Sequence, residues 1–251
     1  MSKKKARWRK LDNAAKLYSA ASNKKDTRVF RFYCELKEEV DSDVLQEALN
    51  QTIETFPTFL MVLRKGFFWH YLEPCNLRPI VKEEYKEPCS RLYIRDKKTL
   101  LFEVTYYKKR INFEVFHVLT DGTGATEFLK ELVKNYLYFA HKEEGLEQVA
   151  LLPEDMTVQD QEDDSFLKYY SKDQKRPKKR KLNAFQIRRK KKDGNHLHVH
   201  ESVVSVQAVL KRSRELGVSM TIFLTALFMM AINEEMSKMQ KKKPVVLMVP
   251  V

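Results

Sequence analysis

Glycine, proline and cysteine are scarce in this chain of 251 residues, which contains 6, 8 and 3 of them. So little glycine and proline excludes collagen-like and low-complexity chains. The three cysteines, Cys34, Cys75 and Cys89, form no C-x-x-C pair, and their odd number argues against a disulfide framework. Because such cysteine usage is typical of a reducing compartment, we expect the protein in the cytoplasm.

A long apolar run is missing as well. The most apolar stretch, residues 218–232, is interrupted by Ser219, Thr221 and Thr225, and a transmembrane helix needs about 20 predominantly apolar residues. The basic N-terminus is followed by no apolar run, so we expect no secretory signal. We expect residues 223–230 to be the core of a buried helix.

The chain does have the material for a packed core, with 43% hydrophobic and 11% aromatic residues. Its net charge of +13 is unevenly placed. Residues 172–192 hold twelve Lys and Arg against one Asp, and residues 1–10 hold six more. The remainder is therefore mildly acidic, and we expect no binding of nucleic acid by the domain as a whole.

The apolar spacing predicts alternating strands and helices. Strands are predicted over 28–36, a hairpin over 59–72 that turns at Gly66, and 100–107, 110–116, 196–204 and 244–251. Helices are predicted over 41–55, from 123–126 onward, over 205–216, and from Ser219 to about 236. The fold class predicted is α/β, a mixed β-sheet flanked by helices.

A histidine stands at the end of one predicted strand, in the sequence Phe-His-Val-Leu-Thr-Asp-Gly over 116–122. Imidazole has an ordinary pKa of about 6.5, which suits it to take a proton from an attacking group. We interpret His117 as a general base. Asp121 is placed to brace the loop through an Arg or backbone amides, and Gly122 to permit a conformation that a side chain would forbid. A loop histidine with a purely structural role is the alternative.

This motif and the stretches 56–59, 64–69, 216–219 and 249–251 resemble one acyltransferase superfamily. It contains chloramphenicol acetyltransferases, non-ribosomal peptide condensation domains, wax-ester synthases and alcohol acetyltransferases, and the alcohol-acetyltransferase-like members are most similar. The resemblance covers most of the chain from about residue 28. It implies two similar α/β halves around a tunnel, with His117 as base, Asp121 mainly structural, and no acyl-enzyme.

Two features depart from that family's pattern. Many members have two successive histidines, and Phe116 fills the first position here; the second is the base, so the chemistry is retained. Members are also much longer than this chain. We therefore expect it to hold the first half, the crossover and the start of the second half, and to depend on the missing C-terminal part.

The expected organisation follows from this resemblance and from the charge pattern. It comprises a basic leader over 1–27, an N-terminal acyltransferase lobe over 28–150, a charged crossover linker over 151–195, and the beginning of a second lobe over 196–251. Residues 244–251 read as a core strand without a polar tail, whereas natural termini are usually exposed. We therefore expect the chain to continue past Val251.

The function expected from the resemblance is transfer of an acyl group, acetyl by preference, from coenzyme A to a small alcohol or amine. Acyl-coenzyme A is then a co-substrate, and no cofactor is bound permanently. Three alternatives stay open: a condensation-type enzyme that uses carrier-protein thioesters, a non-catalytic homologue acting as an interaction module, and a basic nucleic-acid-binding protein.

Three other features have plainer explanations. His196, His198 and His200 share a strand face, but neighbours on one face lie about 7 Å apart, so no metal site is expected. The basic run 172–192 is read as a solvated crossover rather than a site for coenzyme A phosphates, an acidic carrier or nucleic acid. Core packing is favoured over tunnel lining for most of one aromatic group: Phe56, Phe59, Phe67, Phe68, Trp69 and Tyr71.

Overall fold

The computed structural model describes residues 8–23, 26–66, 69–95, 97–145, 183–187 and 199–249. The chain forms two compact units, residues 1–171 and 172–251. The described strands of the first unit are β1 (Arg9–Lys10), β2 (Val29–Glu35), β3 (Met61–Lys65), β4 (His70–Pro74), β5 (Lys82–Glu83), β6 (Phe102–Tyr107) and β7 (Arg110–Phe116). Its described helices are α1 (Asn13–Ala21), α2 (Ser42–Thr55) and α3 (Gly122–Ala140).

The strands of the first unit form two sheets. One is three-stranded, in the order β1-β4-β3, and the other is four-stranded, in the order β2-β7-β6-β5. The larger sheet is mixed, because β5 runs parallel to β6 while its other pairs are antiparallel. Together with the helices, this confirms the predicted α/β class, although the strands divide between two sheets.

Helices α2 and α3 pack on the larger sheet because each has a buried apolar stripe. Leu45, Ala48 and Leu49 are buried on α2, and Phe128 and Leu132 on α3. Aromatic rings fill the space between helix and sheet, with Phe113 and Phe128 stacked at 4.6 Å between centroids. Strand β7 is buried on both faces, and the core that it shares with α3 fixes where the strand ends.

The aromatic group of the sequence analysis divides between core and surface. Phe56 and Phe59 are buried, whereas Trp69 is largely exposed. Phe67 and Phe68 lie outside the described residues. The predicted hairpin is confirmed as β3 and β4, and the Gly66 amide donates to the Trp69 carbonyl across its turn at 2.7 Å.

The segment expected as a basic leader contributes folded structure. Strand β1 pairs with β4, and α1 buries Ala15 beside Leu11. The helix begins at a normal cap, where the Asp12 carboxylate accepts a hydrogen bond from the Ala15 amide. From Arg9 onward the segment is therefore part of the packed unit.

The described helices of the second unit are α4 (Val206–Glu215) and α5 (Met220–Glu234). Both begin as predicted, with the hydroxyls of Ser205 and Ser219 accepting from backbone amides in the first turn. Gly217 follows α4 with a φ of 68°, in the left-handed region that glycine adopts without strain.

Two predicted strands of this unit are not formed. Residues 199–204 and 244–249 have no regular secondary structure, and 196–198, 250 and 251 lie outside the described residues. A strand requires a neighbour to pair its backbone groups. Within the described part of the second unit no strand is available as that neighbour, and Met248 is 92% exposed.

The prediction that 223–230 is core was also wrong for this structure. Helix α5 is apolar on every side, yet Phe228 is 58% exposed and Ile232 is its buried residue. The composition identifies a helix whose side chains favour burial, but it does not show whether another element packs over them. Within the described residues of the second unit, α4 contacts α5 but leaves most of the side chains of α5 exposed.

Across the described residues, no single helix has the length and apolar character to cross a membrane. Helices α4 and α5 meet the length and composition criteria only as a pair, and they are bent by 88° at their junction.

Candidate active site

The backbone at His117 is fixed by the end of the central strand. Every residue of 111–116 is buried, so β7 cannot shift without disrupting the core. The His117 amide donates to the Arg28 carbonyl at 2.9 Å, and the Leu119 amide donates to the Phe116 carbonyl at 2.8 Å. The strand therefore turns immediately after His117, into a short loop that leads to α3.

The His117 imidazole is half-buried between aromatic neighbours. Its ring stacks on Tyr18, with centroids 4.1 Å apart and planes at 20°, and it contacts Phe30 at 4.7 Å with planes at 53°. Among the described residues, neither ring nitrogen has a hydrogen-bond partner. The ring is thus held by its faces, and its nitrogens remain available to a bound molecule.

Asp121 is the N-cap of α3. Its carboxylate accepts a hydrogen bond from the Gly124 amide at 2.9 Å, which satisfies one of the amides that the first helical turn leaves unpaired. A negative charge at the N-terminal end of a helix also interacts favourably with the helix dipole. The residue thereby fixes where α3 starts, five residues after His117.

The glycine that the loop requires is Gly124 rather than Gly122. A Cβ built on Gly122 meets nothing within 4 Å, and its φ is not in the left-handed region. A Cβ on Gly124 would lie inside contact distance of the Thr120 hydroxyl. The sequence analysis selected Gly122 because it follows Asp121. The close approach between Gly124 and Thr120 arises instead from the way Asp121 caps the helix.

Two glycine substitutions should therefore have opposite effects. Gly122→Ala adds a side chain in open space at the first helical position, and we expect it to be neutral or stabilising by up to about 1 kcal/mol. Gly124→Ala forces Thr120 to move, and we expect a loss of about 1–3 kcal/mol. Thermal unfolding followed by circular dichroism measures both.

The double variant Gly124→Ala/Thr120→Ala tests the cause of that loss. Removing the Thr120 hydroxyl removes the clash, so the double variant should be more stable than Gly124→Ala. Equal stability of Gly122→Ala and Gly124→Ala would contradict the contact.

Two further residues reach the motif loop from the N-terminal segment, and the sequence analysis did not identify either. Tyr18 stacks on His117, and Arg9 donates to the Leu119 carbonyl at 3.4 Å. A signal was present, because Leu11, Ala15 and Tyr18 have helical spacing around the cap Asp12. The segment was nevertheless predicted to be a leader, because residues 1–10 are strongly basic.

The opposite face of the sheet carries a buried ion-pair network. The Glu114 carboxylate accepts from Arg31 at 2.9 Å and from the Cys89 amide at 2.6 Å, and Arg31 also contacts Glu84 at 2.7 Å. Burial by itself would lower the pKa of Arg31, but the two carboxylates raise it above its ordinary value. The network cross-links β2, β7 and the segment 84–89. Its Glu114 lies on β7, three residues before His117.

The other predicted features give no second site in the described residues. No group of three or more His, Cys, Asp and Glu is arranged to hold a metal there. His200 is exposed, whereas His196 and His198 lie outside the described residues, as does most of the basic run 172–192.

No protein-family model matches the chain, and no curated protein matches it. Solved structures do match, at low identity. A variant of the starter condensation domain of the rhizomide synthetase, in complex with C8-CoA, is 13% identical with a TM-score of 0.46, and the match covers 57% of this chain and 38% of that chain. The first condensation domain of the calcium-dependent antibiotic synthetase, in complex with a substrate analogue, is 14% identical with a TM-score of 0.45, covering 59% and 40%.

A third similar structure is polyketide synthase associated protein 5 from Mycobacterium tuberculosis, 16% identical with a TM-score of 0.41, covering 58% of this chain and 36% of that chain. The match thus spans well under half the length of each of these proteins. These are similarities of backbone arrangement, and they assign no residue role to this chain.

Proposed function

We propose that this chain is the N-terminal part of a coenzyme-A-dependent acyltransferase of the cytoplasm, which moves an acyl group, acetyl by preference, to a small alcohol or amine. One observation supports it: His117 is fixed at the end of a buried strand, and its ring nitrogens have no hydrogen-bond partner among the described residues. In this half-buried position, either ring nitrogen can accept from or donate to a bound molecule.

The proposed chemistry is a direct transfer without an acyl-enzyme. His117 takes the proton of the acceptor hydroxyl or amine as the acceptor atom attacks the thioester carbonyl carbon. The carbon–sulfur bond then breaks, and the coenzyme A thiolate recovers the proton from the imidazolium. Asp121 takes no part in proton transfer in this scheme; it holds the loop by capping α3.

The proposal places a further part of the same protein against the second unit. Support comes from α5, whose exposed apolar side chains are those of a helix that is normally buried. In the proposed arrangement, that further part also forms the opposite wall of the substrate tunnel. We therefore expect the 251-residue chain by itself to turn over acyl-coenzyme A poorly.

The test compares this chain with the product of the reading frame continued past Val251. Both are incubated with acetyl-coenzyme A and a panel of short alcohols and amines, and coenzyme A release is measured together with product mass. We expect acylated product from the longer protein and little from this chain. Equal turnover by both would contradict the two-lobed arrangement.

The same assay separates the proposal from its nearest competitor. Consumption of a carrier-protein thioester without consumption of acetyl-coenzyme A would identify a condensation-type enzyme instead. Failure of the longer protein to consume any thioester would contradict acyl transfer altogether.

A further inference from the structure

We propose that Tyr18 is a positioning residue for His117, and that Tyr18 and Arg9 attach the N-terminal segment to the catalytic loop. This rests on the proposed role of His117 as general base. The segment contacts the motif loop at two points, the imidazole ring and the Leu119 carbonyl. Both contacts come from a part of the chain whose composition marks it as a leader.

The stacked geometry is what a general base requires. The two rings lie 4.1 Å apart at 20°, so Tyr18 covers one face of the imidazole. The nitrogen lone pair and N–H bond lie in the ring plane and point away from a stacked neighbour. Tyr18 therefore restricts rotation of the ring without occupying either nitrogen. Because the described residues give those nitrogens no hydrogen bond, aromatic contacts are what orient this base.

Tyr18 is itself held in place by the structure around α1. Leu11 and Ala15 are buried at the start of the helix, and the Asp12 cap fixes its first turn. At the other end, the Ser22 amide donates to the Tyr18 carbonyl at 3.0 Å. A ring carried by a helix that is anchored at both ends has a defined position, so it can define the position of its partner.

Arg9 adds a second point of attachment. Its guanidinium donates to the carbonyl of Leu119, two residues after His117, while β1 pairs with Tyr71 and Leu72 of β4. The loop between β7 and α3 is thus tied to the N-terminal segment at its middle as well as at its first residue. A displaced α1 would change both the loop and the imidazole that it carries.

Three variants of the longer, active protein test the role of Tyr18. Tyr18→Ala removes the stack, and we expect kcat to fall about 10- to 100-fold with KM for acyl-coenzyme A nearly unchanged. Tyr18→Phe keeps the ring and should retain most of the activity. Leu17→Ala removes a neighbouring side chain of α1 that is exposed, and it should have no effect.

Nuclear magnetic resonance of this 251-residue chain gives a readout that does not depend on turnover. The ring current of Tyr18 should shift the imidazole proton signals of His117, and Tyr18→Ala should abolish that shift while Tyr18→Phe preserves it. Unchanged imidazole signals in Tyr18→Ala would overturn the stack, and full activity of Tyr18→Ala would overturn its positioning role. If both His117→Ala and Tyr18→Ala are fully active, the proposed function fails and the inference with it; if only Tyr18→Ala is active, the inference alone fails.

Discussion

Replacing His117 by alanine should lower the proposed acyl-transfer rate, measured on the longer protein described above, by about 10²- to 10⁴-fold, the range typical for loss of a general base. The substitution removes the group that takes the acceptor proton in the proposed mechanism. It leaves the buried strand β7 intact, because His117 lies after the last residue of that strand. The measurement is kcat/KM from coenzyme A release, with circular dichroism to show that the fold is retained.

His141 provides a matched control for this substitution. It follows the C-terminal end of α3, and its ring contacts Glu144 at 2.9 Å. The Glu144 carboxylate, which hydrogen-bonds the ring, raises the pKa of His141. His141→Ala removes an imidazole without touching the motif loop, so its rate should equal that of the unaltered protein. A rate for His117→Ala within about twofold of that value would end the assignment of His117.

Breaking the buried network at Arg31 should cost the first unit about 3–5 kcal/mol of unfolding free energy. Glu114 is 2% exposed, and without Arg31 its carboxylate would be a buried charge that has lost its cation. Arg31→Met keeps much of the side-chain volume, so the loss reports the charge rather than a cavity. Urea unfolding followed by tryptophan fluorescence measures it, because both tryptophans, Trp8 and Trp69, belong to the first unit.

An exposed pair on the same unit serves as the control. Arg64 contacts Glu73 at 3.3 Å, and both side chains are more than a third exposed. Arg64→Met should therefore cost no more than about 1 kcal/mol. If Arg31→Met and Arg64→Met are equally stable, the Glu114 network does not hold β2 and β7 together.

The sequence was informative wherever local spacing and local packing agree. Strands β6 and β7, the hairpin of β3 and β4, and the helix starts at Ser205 and Ser219 were all predictable, because alternation and helix-start signals act between residues close in the chain. Asp121 also stood out for a local reason, since it belongs to the same short motif as His117 and comes shortly before the predicted helix.

Features that depend on distant contacts were not predictable in the same way. The need for Gly124 arises from its approach to Thr120, and the role of Tyr18 arises from a contact between residues 18 and 117. Helix α5 shows the reverse case, because its composition predicts burial but the covering surface is not among the described residues. The hydrophobicity of a helix indicates that its side chains favour burial, whereas the tertiary structure determines whether a surface is present to cover them.

The tie between Arg9 and Leu119 spans 110 positions of sequence, and this separation constrains the order in which the protein folds. During synthesis the N-terminal segment leaves the ribosome first, yet its partners in the motif loop emerge only after β7 has been made. Closing so long a loop costs conformational entropy before the contact stabilises anything, so we expect the local pairings of β3 with β4 and of β6 with β7 to form before it. The candidate catalytic histidine therefore acquires its final surroundings only after β7 has been made, through the part of the chain that was made first.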